Sequence, residues 1–299
     1  MDYFLQQLLN ALAFGAEYSL VALGLAVVFS IMGLVNFAHG EIIAVSAYTV
    51  LFAVALGLQS PLLAILLAVV AAGVVAIAFE RVAFRPVRNA PVTTGLLTAF
   101  GVSIVVQNLF VLFVSPKPQA VSILNGINQI WFVGPLAISA LQVMELVVAA
   151  VTIVALVLFL NKSTLGLAMR AASRDFATVR LMGVKANRVI AAAFAISGTL
   201  AGIAAVFIIA RRGSVTPDMG FSLVLKAFVA CVIGGFGSLA GAAAGGMLLG
   251  FIEVGLLVAL PQEYGGLRDT FTYLLIIALL VYRPEGLLGR KVELGDKEI

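Results

Sequence analysis

Charge and chemically versatile side chains are scarce in this sequence. Asp, Glu, Lys and Arg together make up 11% of its 299 residues, and it has one cysteine and one histidine. The lone thiol, Cys231, lies within an apolar run, so there is no disulfide framework and no thiolate metal cluster. Packing is its expected role. The lone histidine, His39, has Glu41 nearby, and one imidazole with one acid is not a metal-ligand set. Also missing are a Ser-His-Asp arrangement, an HExxH pair, a carboxylate dyad and a GxxxxGK[ST] phosphate loop. The sequence therefore assigns no catalytic residue, no bound cofactor and no metal, and any ATP-driven work would need another chain.

What is present is oil. Apolar residues are 63% of the chain, and the mean hydropathy of +1.17 exceeds what a water-exposed surface permits. The class is an all-α polytopic membrane protein forming one transmembrane domain over residues 1–299. The net charge of +4 does not point to nucleic acid, because the cations cluster beside apolar spans. The N-terminal stretch has no basic leader and stays apolar beyond a signal-peptide core, so it reads as a retained first helix. Hydrophobic stretches at about 8–33, 41–58, 61–80, 95–115, 138–160, 190–210, 222–260 (two passes) and 268–283 make eight or nine transmembrane helices, at roughly 20 residues per crossing.

Charge sets the orientation. Placing residues 81–88, 161–188 and the tail after 282 on one side collects thirteen cations there, against Lys117, Arg211, Arg212 and Arg268 opposite. The positive-inside rule makes the first side cytoplasmic, with the C-terminus, and puts the N-terminus outside. Residues 115–137 then form an extracytoplasmic segment. Its weak alternation around Asn125-Gly126 predicts a hairpin, with Trp131 suited to the interface.

Two places break the helical pattern at membrane depth. In the first, Gly33, Asn36, His39, Gly40 and Glu41 interrupt an apolar run; in the second, glycines cluster from Gly234, Gly235 and Gly237 onward to Gly250. Unwound backbone in a membrane must be buried in protein or line a wet cavity, and such breaks occur at transporter pathways. Small residues four apart equally serve close helix packing. Both readings stand, as does an internal duplication relating the two breaks. Ser103 and Gln107 share a helix face, either lining a pathway or bonding a neighbouring helix. Lys226 sits near the outer boundary, where its stem can snorkel, and Glu80 and Glu253 read as interfacial. The small number of intramembrane acids argues against a self-sufficient secondary transporter or channel.

Residues 161–190 are a charged island holding six of the eighteen cations, Lys162, Arg170, Arg174, Arg180, Lys185 and Arg188, against one acid, Asp175. Ser163 and Thr164 cap a helix start, and Gly183 ends it about five turns later. Leu165, Ala168, Met169, Ala172, Phe176 and Val179 share one side; Arg170, Arg174 and Leu181 lie on the other. By itself this is an amphipathic helix lying on lipid head groups.

NFAHGE at 36–41, FRPVRN at 84–89, LMGV at 181–184 and KAFVACVIGGFGSLAGAAAGG from Lys226, in this order, resemble the LivH-type permeases of branched-chain amino acid ABC transporters. The resemblance implies the permease fold of an ABC importer in the cytoplasmic (inner) membrane. It implies a second permease subunit, homologous or identical, two cytoplasmic ATPases carrying ATP and Mg, and an extracytoplasmic substrate-binding protein. It further implies that the island is the ATPase-coupling segment, comprising Thr164, Arg170, Arg174, Asp175, Arg180, Leu181, Met182 and Gly183. Relatives of this family also handle urea and short amides. One departure concerns the importer loop pattern, Glu-Ala-Ala followed three residues later by Gly. Here it reads Ala177-Thr178-Val179 before Gly183, without the acid.

Overall fold

The computed structural model describes residues 2–58, 60–124, 129–282 and 286. The helices are α1 (Asp2–Met32), α2 (His39–Ala55), α3 (Pro61–Phe79), α4 (Val92–Phe113), α5 (Ala140–Lys162), α6 (Thr164–Ala172), α7 (Phe176–Leu181), α8 (Ala186–Arg212), α9 (Met219–Gly234), α10 (Leu239–Ala259) and α11 (Arg268–Tyr282). Each of the nine hydrophobic stretches is a helix. Six of them (α1, α3, α4, α5, α8 and α10) are long and apolar enough to cross a membrane, whereas α2 and α9 fall short. The outer faces of α3 to α5 expose Leu66, Val74, Leu97, Val105 and Val151, as a lipid-facing surface requires. The centre is formed by α1 and α8, buried along most of their length.

Local chemistry sets the helix ends. Ser60 and Ser238 cap α3 and α10 by accepting the Leu63 and Gly241 N–H groups at 3.4 and 3.0 Å, and Ser139 with Gln142 makes a capping box on α5. Gly33 and Gly213 follow α1 and α8 with φ of +68° and +65°, the left-handed conformation that glycine tolerates.

These ends disclose an inverted repeat. Gly33 matches Gly213 and Gly40 matches Gly220 at a spacing of 180, with Val35 and Val215 between them. The Ser60 and Ser238 caps, and the buried stripes Ala64-Ala68-Ala72-Ala76 and Ala242-Gly246-Gly250-Val254, match at 178. Packing follows the same pairing, α1 on α10 as α8 on α3, and α2 on α8 as α1 on α9. Glu17 meets Arg211 while Gly24 faces Ser197, so α1 and α8 run antiparallel and the halves have opposite topology. The duplication expected between 33–41 and 234–250 is thus corrected. The first break pairs with residues 213–220, and the Gly234–Gly237 turn pairs with the turn around Gly57. Glycines and caps survive in such a repeat because backbone geometry demands them, while side chains diverge with their neighbours.

Residues 115–137 also differ from expectation. β2 (Ile130–Val133) and β3 (Leu136–Ser139) form a hairpin turning at Gly134-Pro135. The expected turn at Asn125-Gly126 lies outside the described residues. Gln6 clamps the hairpin to α1 by donating to the Ala137 carbonyl and accepting its N–H, both at 3.0 Å. A second pairing, β1 (Gln119–Ala120) with β4 (Ser214–Val215), ties this segment to the 213–218 break. Trp131 is exposed. The tail cations Arg283, Arg290, Lys291 and Lys297 lie outside the described residues.

Candidate functional site

The two half-length helices begin inside the bundle and cross at their first turns. A Cβ on Gly40 would stand 2.6 Å from the Gly220 carbonyl carbon, and one on Gly220 the same distance from that of Gly40. Backbone therefore packs directly on backbone. His39, beside this crossing, has its Nδ1 2.9 Å from the Ser197 hydroxyl on α8, and its ring fills the space a side chain at Gly24 would need. Two residues on, Glu41 points to α4, where its Oε1 accepts from Ser103 at 2.7 Å and Gln107 at 2.8 Å. Ser103 and Gln107 bond each other at 3.0 Å, so the expected shared face exists and joins two helices. His39 and Glu41 thus serve different neighbours. No group of three or more metal-capable side chains occurs among the described residues.

The first break is left polar and incomplete. Asn36, His39 and Glu41 are wholly buried, yet both Asn36 side-chain polar atoms, His39 Nε2 and Glu41 Oε2 have no hydrogen-bond partner. At the second break, Gly234 and Gly241 press backbone to backbone, while Gly235 and Gly237 turn with positive φ. There the close-packing reading accounts for Gly234, and Gly237 joins Val27, Ser30, Leu160, Arg170 and Arg174 around a cavity of about 520 Å³. The island at 161–190 and the α9–α10 turn thereby line one cavity.

Buried charge is more plentiful than the sequence suggested. Glu17, Glu41, Glu80, Glu145 and Glu253 are all buried. Arg211 bridges Glu17 on α1 at 2.8 Å and Glu145 on α5 at 2.5 Å. Lys226 pairs with Glu253 on α10 at 2.5 Å and with exposed Asp269 at 3.3 Å, while the Tyr18 hydroxyl donates to Glu253 at 2.6 Å. Lys226 and Glu253 are therefore paired with each other inside the protein. Glu80 is held by Arg88 at 2.5 Å. Arg88 lies in the loop before α4, where burial shifts its guanidinium below the ordinary arginine value against the opposing pull of Glu80. Cys231 is buried and donates weakly to the Ala22 carbonyl at 3.3 Å, a packing role.

The island forms two short helices, α6 and α7, not one helix of five turns. Ser173-Arg174-Asp175 interrupts it: the Ser173 hydroxyl bonds back to the Arg170 carbonyl, a local bond that competes with helix. The expected inward face holds where it can be assessed, with Met169, Ala172 and Val179 buried. The side chains of Phe176, on the expected inward face, and of Ala177 and Thr178, in the expected importer-loop pattern, lie outside the described residues. Thr164, Arg170, Arg174 and Arg180 are exposed, and Leu181 and Met182 project at 89% and 78% exposure just before Gly183, whose φ is +82°. Two large apolar side chains standing free beside arginines suit a partner surface better than water.

A model of the family described as branched-chain amino acid transport system, permease component, matches residues 7–281. The chain belongs to this family. It is 37% identical over 299 residues to the high-affinity branched-chain amino acid transport system permease protein BraD of Pseudomonas aeruginosa, covering 96% of each chain. The permease protein LivH of Escherichia coli K12 is 36% identical over 302 residues, again at 96% of both. More distantly, the fructose import permease protein FrcC of Rhizobium meliloti is 32% identical over 137 residues. The protein is thus a multi-pass inner-membrane permease component, a transport subunit and not an enzyme.

Within this permease the sequence reading located Asn36, His39, Glu41, Ser103 and Gln107, and the fold brings Glu41, Ser103 and Gln107 together. It missed Glu17, Tyr18 and Glu145, isolated polar residues inside apolar runs. The available signal was that an acid inside an apolar span needs a partner. It also missed Gly220, findable from the repeated Gly-x-Val-x4-Gly at 33–40 and 213–220.

Proposed function

We propose that this permease translocates branched-chain amino acids as the membrane subunit of an ATP-driven importer. Two cytoplasmic ATPases, a second permease subunit and an extracytoplasmic binding protein complete the assembly, and ATP with Mg is bound on the ATPases. The observation that carries this reading is full-length similarity at 37% to a high-affinity branched-chain amino acid permease. The orientation follows from charge, with the N-terminus outside and the island cytoplasmic. Alternating access then has a physical basis: the island meets an ATPase through Leu181 and Met182, and its movement reaches the α9–α10 turn through the Arg170–Gly237 cavity.

The buried glutamates supply the observation for the rival reading, a self-sufficient secondary transporter. Reconstitution decides between the two. The complete assembly in proteoliposomes takes up leucine when ATP and binding protein are supplied, and the permease alone does not; leucine flux through the permease alone would overturn the proposal. A second test addresses the island. Leu181→Asp with Met182→Asp desolvates no core group, so the permease still folds, but the ATPases no longer co-purify and uptake falls by about tenfold or more. Unchanged co-purification would remove the docking role.

A further inference from the structure

The seam between α2 and α4 has a layered composition. Both helices run in the same direction along it: Phe37, just before α2, meets Phe100, Glu41 meets Ser103 and Gln107, and Tyr48 meets Phe110. The Phe37 and Phe100 rings stack at 4.5 Å and 17°, backed by Phe228 against Phe37 at 5.7 Å and Phe221 against Phe100 at 6.5 Å. The Tyr48 and Phe110 rings stack at 3.9 Å and 11°. A lone carboxylate thus sits between two aromatic layers, one towards each end of the seam.

That carboxylate is half used. Ser103 and Gln107 fix its Oε1, which orients the group, while Oε2 is buried and has no partner. A buried carboxylate oxygen without a donor is costly, and no cation is paired with Glu41 as Lys226 is with Glu253 or Arg211 with Glu145. The missing group is a hydrogen-bond donor, and a cationic one would also balance the charge. Asp218, exposed at the start of α9, adds negative field at both Glu41 and Tyr48. The Tyr48 hydroxyl, also buried and unpartnered, adds a second polar atom at the outer layer.

We propose that the α2–α4 seam is an occluded station for the transported substrate, in which Glu41 Oε2 accepts the α-ammonium of a small apolar amino acid held between the Tyr48–Phe110 and Phe37–Phe100 stacks. This rests on the importer reading and adds to it a chemical requirement, a cationic nitrogen on the substrate. The aromatic layers contact the aliphatic side chain and exclude water. Neither stack is tied by a hydrogen bond across its rings, so each can part in turn without breaking the Glu41 brace.

The test uses the complete transporter with its ATPases, second permease and binding protein, in proteoliposomes supplied with radiolabelled leucine. Glu41→Gln keeps the shape and an acceptor for Ser103 and Gln107 but removes the charge. Its uptake rate falls about 10- to 100-fold, the range expected for loss of a charge-assisted hydrogen bond, while Glu41→Asp retains an intermediate rate at equal yield. A Glu41→Gln rate within twofold of wild type overturns the station. Should Glu41→Gln fail to assemble, Ser103→Ala removes one brace and leaves the charge: the expected rate falls about threefold or more, and an unchanged rate overturns the proposal. If the wild-type assembly takes up no leucine, the importer reading falls first.

Discussion

Gly220→Val is expected to yield no recoverable permease, or one whose thermal midpoint lies far below that of wild type. The first turns of α2 and α9 meet backbone to backbone, and the atoms nearest an added Cβ are the Gly40 carbonyl oxygen and carbon. A flexible side chain could swing aside, but a carbonyl on the facing helix moves only if the helix moves. Both helices are short and begin inside the bundle, where lipid cannot satisfy any amide freed by displacement. Over-packing in ordinary cores costs about 1–3 kcal/mol, and the clash with fixed backbone places this substitution at or above the upper end. Gly40→Val meets the reciprocal clash, so the double variant gives no recovery. Gly101→Ala is the control: no atom outside its own helix lies within 4 Å of the added methyl, and the gain in helix propensity makes it neutral or slightly stabilising. Yield and thermal melting in detergent read all four, and a Gly220→Val protein melting with wild type would show that the crossing does not hold the fold.

The crossing also marks where sequence reasoning stops. Span positions were legible because an apolar run of the right length has few alternatives at membrane depth; all nine stretches fold as helices. The break at Gly33 was legible because Asn36, His39 and Glu41 are conspicuous in such a run. Its partner at Gly220 was not, because residues 213–220 follow Arg211-Arg212 and resemble an ordinary outer loop. What relates the two is a backbone conformation at Gly33 and Gly213 and a contact at Gly40 and Gly220, neither of which hydropathy records. The same limit applies to charge. Arg211 reads as an outside cation, while its role as the bridge between Glu17 and Glu145 depends on α1, α5 and α8 meeting, a tertiary fact. In the island, amphipathic spacing identified the inward Met169 and Ala172 but not the break after α6, because Ser173 satisfies a helical carbonyl locally.

Lys226→Met is expected to cost about 3–5 kcal/mol, the range for removing one member of a buried ion pair. Lys226 has a side chain 8% exposed and lies 2.5 Å from Glu253, itself 2% exposed. Without the ammonium, Glu253 keeps the Tyr18 hydroxyl and loses its compensating charge. Asp269 cannot account for a loss of this size, because it is 55% exposed and 3.3 Å away; Asp269→Asn is expected to change stability by less than about 1 kcal/mol. The decisive variant is the double one. Lys226→Met with Glu253→Gln removes both charges and leaves an amide that still accepts from Tyr18, so it recovers most of the single-variant loss, a coupling of roughly 2 kcal/mol or more in a double-mutant cycle. If the double variant is as unstable as the sum of the singles, Lys226 contributes through packing of its stem against Tyr18, and the ion pair is not what joins α9 to α10 there. The same reasoning separates this pair from Arg211, which serves two acids: Glu145→Gln leaves Arg211 with Glu17 still in place and costs less than Arg211→Met, which strands both. The permease thus fastens α1 to its neighbours twice, at Glu17 through Arg211 and at Tyr18 through Glu253, on consecutive residues of one helix.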